Sequence, residues 1–181
     1  MRIQILTVAV CLTSILFSSC NTQSSEQKSE TAVDSEVSVT DDGAQNLKAG
    51  TVSKEQLEGM LSAYFNIKNA LVDTHADNAK SATNELIKHI SDGMHSIQEV
   101  AKKIQERETI DQIREDFEVL SQDIYKLIKE NPEVEKETVY KQYCPMALDN
   151  KGAFWLSNQE EIKNPYFGNK MLKCGKVQEK L

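Results

Sequence analysis

Ile110, Ile113, Phe117, Leu120, Ile124 and Leu127 advance along the chain by three, four, three, four and three residues. A strand would place apolar residues at every second position, so this spacing belongs to a helix with one continuous apolar stripe. Such a stripe is stable only when it is buried against other helices, and at this length it reads as the core seam of a bundle; the same spacing also serves a dimeric zipper. Thr109 and Gln112 have capping-box spacing at its start, and Asn131-Pro132 ends it, because the residue before a proline is pushed out of the helical region.

The residues ahead of this seam repeat the pattern. Ser53 and Gln56 have capping-box spacing, and Leu57, Met60, Leu61, Tyr64, Ile67, Leu71 and Val72 then recur at helical steps. Ala79, Ala82, Leu86, Ile87 and Ile90 predict a second helix from about Asp77 to Asp92, with Gly93 as its stop. Ile97, Val100, Ala101 and Ile104 predict a third, either separate from the fourth or joined to it through a kink. The expected fold is mainly α: an antiparallel bundle of three to four helices. His75, His89 and His95 include no pair at the i, i+4 spacing of a helical metal site, so exposed or capping positions are expected for them. Lys102-Lys103 and Glu106-Arg107-Glu108 read as solvated helix surface.

The first fifty residues have a different texture. Met1-Arg2 precedes a nearly unbroken apolar run from Ile3 to Phe17. A membrane-spanning helix needs about 20 apolar residues, so this shorter run reads as a signal peptide. It closes on Leu16-Phe17-Ser18-Ser19-Cys20, which resembles the lipobox of bacterial lipoproteins. The resemblance implies cleavage after Ser19 and lipid attachment at Cys20; an ordinary secretory signal leaving Cys20 free is the other reading. Asn21 is not the Asp that retains some lipoproteins in the inner membrane, which favours the outer membrane, facing the periplasm. Residues 20–52 are rich in Ser, Thr, Gln, Asp and Glu and hold no aromatic residue, so they read as a disordered tether. Residues 53–181 then form a single domain, divided into a helical bundle over 53–131 and a C-terminal module over 132–181. Without the first twenty residues, which contain Arg2 and no acid, the chain carries a net charge of −8. Nucleic acid is thereby excluded as a partner, since phosphate binding needs a basic face.

The module beyond Pro132 holds six of the eleven aromatic residues, Tyr140, Tyr143, Phe154, Trp155, Tyr166 and Phe167, together with Pro145, Pro165, Gly152, Gly168 and Gly175. A compact, turn-rich unit with short β-strands is expected, with Val139–Cys144 and Ala153–Leu156 paired as a hairpin around Asp149-Asn150-Lys151-Gly152. Its sulfur is concentrated in Cys144-Pro145-Met146 and in Met171-Leu172-Lys173-Cys174-Gly175. Two thiols and two thioethers are a soft ligand set that selects Cu(I) over hard cations, and Trp155 offers a polarizable face to cover such an ion. The chemistry alone favours a disulfide between Cys144 and Cys174, worth about 3 kcal/mol by chain entropy, with Met146 and Met171 as core filling.

The words Tyr143-Cys-Pro-Met-Ala147, Gly152-Ala-Phe-Trp-Leu-Ser157, Glu161-Ile-Lys-Asn-Pro-Tyr-Phe-Gly168 and Met171-Leu-Lys-Cys-Gly175, with Ile110-Asp-Gln-Ile-Arg-Glu-Asp-Phe117, resemble the DUF3347 family over roughly 57–179. That resemblance implies a domain found in bacterial envelope lipoproteins and appended to periplasmic adaptors of copper and heavy-metal efflux systems. The Cys-Pro-Met word also resembles one in small heavy-metal-binding modules, which usually carry a His where this chain has Ala147. The expected function is an exported lipoprotein that binds a soft cation, Cu(I) first, through Cys144, Met146, Met171 and Cys174, for envelope buffering or handover to an efflux system. The alternative is a non-catalytic, disulfide-stabilised interaction module. No Ser–His–Asp order, paired apolar carboxylates or phosphate loop points to an enzyme.

Overall fold

The structure, a computed structural model, describes residues 52–181. The stretch expected to be a signal peptide, Cys20 and the expected tether up to residue 51 lie outside the described residues. Four helices come first: α1 (Lys54–Val72), α2 (Ala76–Ile87), α3 (His95–Glu106) and α4 (Ile110–Glu130). Three strands follow, β1 (Tyr140–Cys144), β2 (Ala153–Ser157) and β3 (Lys176–Lys180), in the sheet order β2-β1-β3 with both pairings antiparallel. The fold is mainly helical with a small C-terminal sheet, as the sequence predicts.

Local chemistry places the helix starts where it was expected to. The Ser53 hydroxyl accepts from the Gln56 backbone N–H at 3.1 Å, and Thr109 and Gln112 form a complete capping box at the start of α4. That cap separates α3 from α4, so the two are distinct helices. Of the seam, Ile113, Phe117, Leu120, Ile124 and Leu127 are buried and Ile110 is half-buried. The α3–α4 junction is also held electrostatically, because Arg107 donates to the buried Asp116 carboxylate at 2.6 and 3.2 Å.

One boundary is corrected. The second helix ends at Ile87, not near Asp92. Lys88, His89 and Ile90 donate three residues back, to the carbonyls of Glu85, Leu86 and Ile87, so the chain tightens out of the α-helix before Gly93 turns it with φ 96°. Val52, the residue ahead of the expected start of the domain, is held by the bundle. Val52 is buried, and its N–H donates to Asn131 Oδ1 at 3.3 Å, while Asn131 Nδ2 caps the Leu127 carbonyl at 2.9 Å. One buried asparagine thus ties the start of the domain to the end of α4. Among the histidines, His75 stands before α2 and His95 opens α3, both exposed, whereas His89 is half-buried against Gly59.

The sheet faces two ways, because successive side chains on a strand alternate. One face meets the helices. Phe154 packs edge-on against Tyr125 of α4, Lys141 lies 4.0 Å from the Tyr125 ring centre and 4.3 Å from that of Phe154, and the Leu156 N–H donates to Tyr64 of α1 at 3.0 Å. The other face carries Gln142, Cys144, Ala153 and Trp155, all buried. The segment from Asn158 to Gly175 covers them: Tyr166 packs edge-on against Trp155, and Gln142 Nε2 donates to the carbonyls of Gln159, Glu160 and Glu161.

Candidate metal centre

The expected hairpin forms, with Gln142 opposite Trp155 and Cys144 opposite Ala153. Its connection is unusual. Leu148, Asp149 and Asn150 are successive left-handed residues with φ of 49°, 57° and 64°, closed by hydrogen bonds from Asn150 N–H to Met146 O and from Gly152 N–H to Ala147 O. The left-handed region is sparsely used by side-chain-bearing residues, Leu least among these three. Met146 sits on this turn and is 45% exposed.

The third strand was not among the expected elements. It pairs with β1 on the side away from β2, with Tyr143 opposite Lys176. That pairing brings Cys174, two residues before Lys176, to the end of the ladder where Cys144 lies. Both cysteines are free thiols, Cys144 buried and Cys174 half-buried. The neighbouring Cys144 thiol, together with burial, pushes the Cys174 thiol up to about 11. A cation that binds the thiolate would displace this proton.

The approach of the two segments is set by specific residues. Gly175 has φ 142°, and a Cβ there would lie 2.9 Å from the Trp155 ring and 3.0 Å from the Tyr143 carbonyl oxygen, so only glycine lets the chain pass this close. Asn164 holds the same loop from within: its N–H donates to Leu172 O at 2.9 Å, its Nδ2 to Cys174 O at 2.8 Å, and its Oδ1 accepts from the N–H of Tyr166 and Phe167. Tyr166 closes the aromatic side by donating to Phe154 O at 2.6 Å.

Of the four expected ligands, the fold thus brings Cys144 and Cys174 together. Met146 faces solvent on the left-handed turn, and Met171 is half-buried three residues before Cys174, with its carbonyl accepting the Cys174 N–H at 3.0 Å. Trp155 is fully buried beside this loop rather than open to it. Among the described residues no three His, Cys, Asp or Glu side chains gather into a cluster that could hold a metal ion, so the module offers a cation only the soft set, two thiols with thioethers in the adjoining turns. That donor chemistry fits a cation content with two sulfur ligands, as Cu(I) is, and not one that demands several oxygens.

Residues missed from the sequence are Gln142 and Asn164. Both are buried polar side chains whose hydrogen bonds go to backbone of the covering loop, and no local pattern in the chain marks them.

Residues 60–136 match a family model described as a protein of unknown function, DUF3347. Over that span the chain is similar to this family. The match runs from Met60 in α1 to Lys136 just beyond α4, a shorter span than the 57–179 expected, and the strands that bear the sulfur residues follow it. No curated protein and no solved structure matches the chain.

Proposed function

We propose that this protein is an exported lipoprotein, anchored through Cys20, whose C-terminal module binds a soft cation, Cu(I) before others, for buffering in the cell envelope or handover to an efflux system. The observation that carries the reading is the antiparallel pairing of β1 with β3, Tyr143 opposite Lys176, which brings the segments bearing Cys144 and Cys174 to the same end of the ladder, with two thioethers in the adjoining turns. Cys144 and Cys174 supply the thiolate pair, and Met146 and Met171 supply thioethers at the rim. The cation supplies the charge that displaces the thiol protons, and no bond in any other molecule is made or broken, so the role is binding and not catalysis. The net negative charge of the chain favours accumulation of cations near it.

The test is competition for Cu(I) between the fully reduced full-length chain and a chelator of micromolar affinity. Uptake by the chain is expected, weakened at least tenfold by Met146→Leu with Met171→Leu, whose fold should be nearly unaffected because Leu and Met are close in volume. The exposure of Met146 favours a second reading, since a solvent-facing thioether is not part of a closed coordination sphere. In that reading Cys144 and Cys174 staple a non-catalytic interaction module, and the reduced chain takes up no Cu(I).

A further inference from the structure

Water reaches the two cysteines unequally. Cys144 is fully buried on β1, while Cys174 is half-buried in the loop that covers the sheet. Asn164 and Gly175 hold that loop against β1, and the pairing of Tyr143 with Lys176 brings Cys174 to the end of the strand that bears Cys144. Two facing thiols can hold a soft cation or bond to each other, and a sulfur committed to a disulfide no longer offers a thiolate.

We propose that Cys144 and Cys174 form a redox gate: the dithiol binds the soft cation, and the disulfide closes the site. This rests on the soft-cation reading above. The oxidant is a low-molecular-weight disulfide, RSSR. The accessible Cys174 loses its proton and attacks one sulfur of RSSR; a Cys174–SR bond forms, the R–S–S–R bond breaks, and RSH leaves with that proton. Cys144 then attacks the Cys174 sulfur; the Cys144–Cys174 bond forms, the Cys174–SR bond breaks, and a second RSH leaves with the Cys144 proton. Two protein thiols are oxidised by two electrons, and one small disulfide is reduced to two thiols. The half-exposure of Cys174 makes the bridge reachable by reductant, which suits a reversible gate better than a permanent staple.

The test uses the full chain carrying Cys11→Ser and Cys20→Ser, so that only these two thiols report. It is incubated with glutathione disulfide, the bond is located by peptide mass mapping, and Cu(I) uptake is measured before oxidation, after it, and after re-reduction with a phosphine. A Cys144–Cys174 bond is expected, with uptake falling at least tenfold and returning on reduction; Cys174→Ser should form no such bond. Failure to cross-link, or undiminished uptake by the cross-linked chain, overturns the gate and leaves the cation site standing. A reduced chain that cross-links readily yet takes up no Cu(I) overturns the cation site, and the gate with it.

Discussion

The Tyr64 hydroxyl lies 2.6 Å from Ser121 Oγ, joining α1 to α4 across 57 residues of sequence. Ser121 spends its own proton on the Phe117 carbonyl at 2.8 Å, so Tyr64 is the donor to Ser121. Tyr64 in turn accepts the Leu156 N–H at 3.0 Å. A buried relay therefore runs from β2 through α1 into α4 and fixes the sheet on the bundle. Desolvation raises the Tyr64 phenol well above its ordinary pKa, as expected of a hydroxyl kept as a neutral donor.

Tyr64→Phe keeps the ring stacked on Phe117 but removes the acceptor for the Leu156 N–H. Leaving a buried amide unsatisfied costs about 1–3 kcal/mol. Chemical denaturation should show that loss. An unchanged midpoint would mean that the relay does not hold the sheet.

Lys68 is 1% exposed on α1, and burial, helped by the nearby Lys163 charge and opposed by Asp73, lowers its pKa from 10.5 to about 8. A lowered lysine means that the unfolded chain holds the proton more tightly than the folded one. The penalty is therefore fully present below about pH 8 and is relieved as pH rises toward 10.5. Lys68→Met should stabilise the protein at pH 7 by roughly 2–3 kcal/mol and flatten the gain in stability between pH 8 and 10. A loss of stability in this variant would show that the ammonium group holds the C-terminal loop.

Because the Cys174 thiol stays protonated up to about pH 11, Cu(I) must displace its proton. Affinity should then rise with pH across the neutral range, by up to about tenfold per pH unit for each proton released. Chelator competition between pH 6 and 9 measures the slope. A flat profile would exclude the thiols as ligands.

Cys20→Ser should leave the precursor unprocessed or release the protein from the membrane fraction. Unchanged fractionation and an unchanged N-terminal mass would rule out lipid attachment at this residue.

Much of the bundle was legible because helical information is local. The three-and-four spacing of Ile113 to Leu127, the Thr109–Gln112 box and the Asn131-Pro132 stop each act within a turn or two of chain. The hairpin of β1 and β2 was legible for the same reason, since its partners flank one turn. The end of α2 was not, because apolar residues at helical spacing continue through Ile90 although the backbone has already tightened. Strand β3 was not either: Lys-Val-Gln-Glu-Lys is a polar, exposed edge with one apolar residue, and it becomes a strand only because β1 is there to pair with it.

By itself, the sequence determined which residue types are present for the chemistry, two thiols and two thioethers in two short words, and that they follow a helical bundle. Only the tertiary structure decided which of them meet. The side on which a loop returns to a sheet depends on contacts between residues far apart: Gly175 passing under Trp155, and Asn164 and Gln142 binding carbonyls of the covering segment. Those contacts bring Cys174 to the end of the strand that bears Cys144 and leave Met146 in solvent, a choice that no periodicity along the chain encodes, because its energy comes from surfaces that exist only once the sheet has formed.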